Sequence, residues 1–446
     1  MAGRARRVGR YSCRVLTRRA VSIVRALRQI DRPIAVLALI GFISQVGVSI
    51  MLPLLPLYAQ ELGATPAQLG LMISAFAVTV TLGQLGSGLM IGRVSARRQI
   101  PFGLGWYAVA NALIAATSSA TALITFRALA GFGGGLAIIA ERVYIARVAA
   151  RERLAFTNGI VSAAQSAGSV LGPTVGGVLA TISLRVPFLV VAITAALALV
   201  GSLLLPREPD RAVASDTMPV MAPDPVTEAV TAPLGPPVVD EVGPAARSIA
   251  RPAGSDRWSH LRPMVLLSLW NLGFNAGFGG WITTYSPLAT SKLGIPIVQI
   301  GLIFAAFGIG SIVLGPWLAG IADRRGRRGM VAIGSSLVMV HILTLIAAAP
   351  VVLVFATAIV AGGGLAAAQA SWFAMLSVAT DGGRRGRSFG MVTALSNLGM
   401  IIGATLAAAA WEAIDVTAGM SVAIVAVALG TLSLVFVRPT ADPRSG

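Results

Sequence analysis

An all-α membrane protein of about twelve helical spans, arranged as two six-helix halves, is the fold class this sequence predicts. Three observations predict it. Of 446 residues, 56% are hydrophobic and only 12% charged, a balance suited to hydrocarbon rather than to a water-facing surface. Apolar runs of about 20 residues, the length a helix needs to cross about 30 Å of hydrocarbon, recur along almost the whole chain. Arginine gathers in alternate connections between them.

The spans are read at 34–58, 68–92, 100–119, 121–146, 158–181, 186–205, 263–289, 297–321, 329–349, 351–378, 388–411 and 417–437. One set of connections carries Arg93, Arg97 and Arg98, then Arg147, Arg151 and Arg153, then Arg324, Arg325, Arg327 and Arg328, then Arg384, Arg385 and Arg387. The opposite set holds only Arg185 and Lys292. This positive-inside bias puts both termini in the cytoplasm of a cell-membrane protein.

Three segments lie outside the spans. Residues 1–33 hold ten arginines and one acid. Wound as a helix, Arg7, Arg10, Arg14, Arg18, Arg25, Arg28 and Arg32 form one stripe opposite Leu16, Ile23, Leu27 and Ile30, which suits a helix lying on an anionic leaflet. An unstructured basic tail that serves topology is the other reading. Residues 206–262 lack helical period and balance eight acids against six arginines. They read as a disordered cytoplasmic linker between bundles at 34–205 and 263–437. Residues 438–446 form a short cytoplasmic tail.

The net charge of +18 would suggest nucleic acid in a soluble chain. Here the arginines sit in membrane loops, and no nucleic-acid partner is expected. One cysteine, Cys13, and two histidines leave no disulfide framework, metal site or nucleophile–base set. No Gly-x-x-x-x-Gly-Lys loop occurs. An enzyme is therefore not expected, nor any cofactor.

The motifs carry the functional reading. Ala319-Gly-Ile-Ala-Asp323-Arg324-Arg325-Gly326-Arg327-Arg328 puts one acid beside four arginines and a turn glycine at the inner end of the eighth span. This resembles the Gly-x-x-x-Asp-Arg-x-Gly-Arg-Arg loop motif of the major facilitator superfamily. The matching first-half tract keeps Gly88 and Arg93, Arg97 and Arg98, but carries Gly92 where the acid belongs. Arg127-Ala-Leu-Ala-Gly131-Phe-Gly133 in the fourth span resembles that family's Arg-x-x-x-Gly-x-Gly motif. Gly168-Ser-Val-Leu-Gly172-Pro173-Thr-Val-Gly176-Gly177 in the fifth resembles the motif associated there with exporters, the drug–proton antiporters in particular. The Leu52-Pro53-Leu-Leu-Pro56-Leu-Tyr58 stretch resembles the same group. Plain topogenic arginines and plain packing glycines are the alternatives to these assignments.

The resemblance implies a major facilitator fold working by alternating access. Gating would rest on the two loop motifs and on the glycine string with Pro173. It also implies a central cavity, for which Gln45, Gln165, Asn271, Asn275, Gln369 and Trp372 are candidates; each serves equally as a helix-to-helix bond. His341, in a span that the family places at the periphery, reads as structural.

Arg127 and Glu141 are the proton-coupling candidates. Fourteen residues separate them, so they share a helix face about 21 Å apart. Arg127 either meets a partner in the bundle or snorkels outward. Glu141 either titrates or pairs with arginines at the inner interface.

The expected function is export of a lipophilic or amphipathic small molecule in exchange for protons, by a monomer in a lipid bilayer. A lipid, glycolipid or sugar exporter of the same fold is one alternative. A non-transporting membrane sensor is another.

Overall fold

The computed structural model describes residues 32–91, 93–148, 154–208, 257–379 and 385–437. The readings for the basic N-terminal segment, for most of the linker and for the C-terminal tail lie outside them. The helices are α1 (Arg32–Met51), α2 (Leu55–Glu61), α3 (Pro66–Met90), α4 (Ala96–Ala116), α5 (Ala120–Val148), α6 (Leu154–Leu179) and α7 (Arg185–Leu203). They continue with α8 (Arg257–Ser291), α9 (Ile297–Arg325), α10 (Arg327–Ile346), α11 (Val351–Ala379), α12 (Arg385–Ala413) and α13 (Val416–Ser433).

One correction falls on the first span, expected unbroken at 34–58. The helix ends at Met51, turns through Leu52–Leu54 and restarts at Leu55. Pro53 has no N–H to give the preceding turn, and Pro56 is suited to the first turn of a new helix. Punctuation is equally local elsewhere. At the start of α3, Thr65 Oγ1 accepts from the Gln68 N–H at 3.3 Å while Gln68 Oε1 accepts from the Thr65 N–H at 3.0 Å, a reciprocal cap followed by Pro66. Gly326, between α9 and α10, has φ +108°, a backbone that side chains rarely adopt. Asp415 caps α13 by accepting from the Ala418 N–H at 2.8 Å.

Nine helices among the described residues are long and apolar enough to cross a bilayer on composition alone. The other three long ones, α4, α6 and α8, carry Gln99 and Asn111, Ser166 and Ser169, and Asn271 and Asn275. These polar side chains are buried against other helices, where lipid cannot strand them. Large apolar side chains such as Leu89, Val352, Trp317 and Leu432 face outward.

Packing repeats between the halves. In the first, α1 lies on α6 and α7, α3 on α5, and α4 on α5 and α7. In the second, α8 lies on α12 and α13, α9 on α11, and α10 on α11 and α13. The two bundles meet along two equivalent seams, α3 against α12 and α6 against α9. Burial in lipid brings little hydrophobic drive, so close van der Waals approach holds such helices together. Glycines supply it. A Cβ on Gly83, Gly310 or Gly403 would overlap the backbone carbonyl of the facing helix, at 2.2, 1.9 and 1.7 Å respectively.

Candidate functional site

The glycine string of α6 presents two faces. Gly168, Gly172 and Gly176, four residues apart, lie on α1: a Cβ at each would sit 2.7 Å from Phe42 O, 2.6 Å from Ser49 Cβ and 2.6 Å from Ile50 O. Pro173 and Gly177, one residue further on, face the other bundle. Pro173 O lies 2.3 Å from where a Gly301 Cβ would be, and a Gly177 Cβ would lie 3.2 Å from Ile297 O. The string therefore packs the first bundle internally and forms part of the seam between bundles.

The second seam is polar. Ser74 Oγ donates to Ile401 O at 3.3 Å and lies 3.2 Å from Thr405 Oγ1, while Asn397 Nδ2 donates to Thr81 Oγ1 at 2.7 Å. Gly70 lies against Ala408. Both sets of contacts run from the end opposite the arginine-rich loops to about mid-helix. Nearer the arginine-rich end, the same helices carry Gly88, Gly159 and Gly320, around which a Cβ would find nothing within 4 Å.

At the arginine-rich end of the second bundle, Asp323 Oδ1 accepts from Arg327 Nε at 3.1 Å, both side chains being exposed. Arg328 donates to Val437 O at 2.6 Å and Val435 O at 2.9 Å, tying the loop to the end of the last span. Arg324 and Arg93 are exposed.

The first bundle has a substitute for its missing acid that sequence reasoning passed over. Glu208, just past α7, accepts from the Arg97 backbone N–H and from Arg147 Nη1, each at 2.5 Å. Arg97 Nε donates to Leu205 O at 2.6 Å and the Tyr144 hydroxyl to Pro206 O at 3.0 Å. Residues 205–208 thus strap the inner ends of α4, α5 and α7 together. The signal available was the Leu-Leu-Pro206-Arg-Glu208 sequence directly after a span, which composition had assigned to the linker.

Among the candidate cavity residues, several are committed to helix-to-helix bonds. Gln45 Nε2 donates to Ser169 Oγ at 3.0 Å, joining α1 to α6. Asn271 Nδ2 donates to Ser396 Oγ at 2.6 Å, joining α8 to α12, and Asn275 Nδ2 bonds back to Asn271. Trp372 Nε1 donates to Leu267 O at 2.9 Å and the ring packs on Trp270. Gln369 is buried, its Oε1 with no hydrogen-bond donor. Gln165 is half-buried against Gly41. His341 is buried against Tyr285, with Nδ1 3.1 Å from Thr357 Oγ1.

Arg127 does not snorkel. It is 3% exposed, its guanidinium 3.7 Å from the centre of the Phe76 ring and 3.1 Å from the Met51 sulfur. Glu141 is half-buried in the arginine-rich third of α5 and has an interaction partner. At the opposite surface, Lys292 binds Asp415 and Thr417, clamping the start of α13 to the α8–α9 turn. The hydrogen bond from Lys292, helped by the Ala418 N–H, holds the Asp415 carboxyl below its ordinary value of 3.8.

The chain is similar in sequence to the quinolone resistance protein NorA of Staphylococcus aureus, 28% identical over 174 residues, which are 39% of this chain and 45% of that protein. It is also similar to multidrug resistance protein 1 of Bacillus subtilis, 29% identical over 170 residues, 38% of this chain and 44% of that one. These matches span less than half the length of either relative. In fold it is similar to the nucleoside transporter NupG, with a TM-score of 0.67 at 13% identity over 91% of this chain and 98% of that one. A bacterial homolog of the human lysosomal transporter Spinster, in an inward-facing conformation, gives 0.63 at 14% identity over 91% and 94%. The sequence profile of the Major Facilitator Superfamily matches residues 37–294 and residues 269–446. Two bundles with repeated packing and two equivalent seams, matched by that profile across both halves, make this chain a multi-pass membrane transporter that belongs to the Major Facilitator Superfamily.

Proposed function

We propose that this transporter exports a lipophilic or amphipathic small molecule in exchange for protons. The observation that carries the reading is the Gly168–Gly177 string, placed at once on α1 and on the seam with α9. Packing within the first bundle alone would need one face. Here a rocking motion of one bundle on the other must slide Pro173 past Gly301. The partial similarity to two proteins named for drug resistance supports the same substrate class.

In this reading the arginine-rich end is cytoplasmic, and the seams are closed on the outside. Substrate enters from the inner side, the seams part, and the inner ends close on the Asp323 loop and the Glu208 strap. In this reading Gln369 and Gln165 belong to a weakly charged cavity lining, suited to an apolar cargo. Glu141 is the coupling carboxylate, and Arg127 is a fixed charge on the same helix. The protein acts as a monomer, and its basic segment at 1–33 rests on anionic lipid.

The test is dye extrusion. Cells expressing the chain should lose a preloaded lipophilic fluorescent cation faster than control cells, and a protonophore should abolish the difference. Extrusion that persists with the protonophore overturns the proton drive. Equal loss in both cell types, across a panel of lipophilic compounds, overturns the substrate class.

A further inference from the structure

The outer wall of the first bundle carries a groove of about 510 Å³ between α4 and α5. Phe102, Gly105, Trp106, Val109 and Leu113 of α4 and Leu129 of α5 line it. Phe102 and Val109 are 56% and 62% exposed, so the groove opens toward the hydrocarbon around the bundle.

Trp106 sets its shape. The indole Nε1 donates to Leu129 O at 2.9 Å, and the ring lies in the notch left by Gly133, whose Cβ would come 2.8 Å from Trp106 Cδ1. Phe102 and Phe132 brace the ring from centroid distances of 6.1 and 5.9 Å. A lipid-facing tryptophan ordinarily sits at the membrane–water interface. This one lies about 15 Å along α4 from the arginine-rich end, near mid-bilayer depth. Gly105 beside it leaves space, since a Cβ there would meet only Leu199 Cδ2, at 3.6 Å.

A charge at the head of the groove identifies what fills it. At 100° per residue, Arg98, Phe102, Gly105, Trp106, Val109 and Leu113 fall within about 60° of one line along α4. Arg98 is exposed, and among the described residues no carboxylate pairs with it; Arg97, by contrast, is spent on Leu205 O. From Arg98 to Val109 the helix rises about 16 Å, half the thickness of the hydrocarbon core. An arginine at headgroup level above an apolar channel one leaflet deep matches a phospholipid in both chemistry and length. A neutral apolar compound would leave the arginine unanswered. A second copy in the same orientation would bring its own arginine-rich end against Arg98, like charge on like charge.

We infer that this groove binds an anionic phospholipid of the leaflet at the arginine-rich end, with its phosphate on Arg98 and one acyl chain along the Trp106 wall. The inference rests on neither the export reading nor the direction of transport.

The experiment is native mass spectrometry of the delipidated protein in detergent, titrated with phosphatidylglycerol or with phosphatidylcholine of the same acyl chains. The first phosphatidylglycerol adduct should form at an about fivefold lower concentration, the worth of one arginine at an anionic surface. Arg98→Gln should erase that preference and leave phosphatidylcholine binding as it was. Gly105→Leu fills the groove without touching the charge and should weaken both lipids. Both positions have room for the new side chain, and unchanged unfolding midpoints check that the variants fold. Equal affinity of the native chain for the two lipids would overturn the anionic headgroup. A preference that survives Arg98→Gln, or lipid binding unmoved by Gly105→Leu, would overturn the site.

Discussion

The carbonyl oxygen of Pro173 lies 2.3 Å from the point where a side chain on Gly301 would begin. The two residues sit in different bundles, so this contact exists only while the seam is closed. Gly172, one position earlier, instead meets Ser49 and Val46 within its own bundle. Neighbouring residues of one motif therefore give substitutions with different outcomes. Gly301→Ala penalises the closed seam alone, and about 1.4 kcal/mol shifts a two-state population tenfold. Spin labels at Thr181 and Ser291 should move apart while the unfolding midpoint holds. Gly172→Leu overpacks the α1–α6 contact in every state and should destabilise the fold by about 1–3 kcal/mol or more. From sequence alone, the expectation for Gly172→Leu is a foldable protein with poor transport. The backbone atoms at Val46 O and Ile50 N make loss of stability the stronger outcome.

Glu208 is 7% exposed and its partner Arg147 16%. Glu208→Gln keeps the shape of the strap and removes its charge, leaving Arg147 half-buried without a carboxylate. A loss of about 1–3 kcal/mol follows, together with faster cleavage by protease after residue 208. Unchanged cleavage would show that the strap adds nothing.

The Asp415 carboxyl has a folded value below its ordinary 3.8. A depressed acid stabilises the fold above its unfolded value, and that contribution is lost as pH falls through the folded one. The Lys292 clamp should therefore be intact at neutral pH and release only below the ordinary carboxylate range. Because both partners are exposed, the effect is small. Lys292→Ala should move the Asp415 titration upward in a carboxyl-specific NMR experiment, and an unmoved titration contradicts the clamp.

Orientation is tested by labelling. With Cys13 replaced by serine, a cysteine at exposed Thr65 should react with an impermeant thiol reagent from outside, and one at Arg324 only after permeabilisation. Reaction of both from the same side contradicts a topology in which α3 and α9 have their arginine-rich ends inside.

Most of the fold was legible because a bilayer imposes its own period. A run of apolar residues, an arginine-rich turn and a turn glycine such as Gly326 are local facts that need no knowledge of tertiary contacts, and the helices from 96–116 to 416–433 overlap the spans read there, except that α8 begins at Arg257, inside the segment read as a linker without helical period. The break at Leu52–Leu54 was written in Pro53 and Pro56 but hidden by the hydrophobicity around them. The site was less legible. Gln45, Asn271 and Trp372 are polar groups inside spans, and sequence cannot say whether such a group faces a neighbour or a cavity; here each has a bond to another helix. Glu208 was missed because its partner Arg147 lies 61 residues away in sequence and meets it only when the bundle closes.

Proton exchange is the central claim, and reconstituted vesicles test it most directly. Glu141 is the carboxylate assigned to it, since the amide of Glu141→Gln keeps shape and cannot ionise. In proteoliposomes holding a pH indicator, addition of a transported compound should drive proton movement in the opposite direction with the native chain. With Glu141→Gln the proton signal should vanish while downhill exchange of labelled compound continues. Compound movement by the native chain with no proton signal, or a full proton signal from Glu141→Gln, would contradict the account.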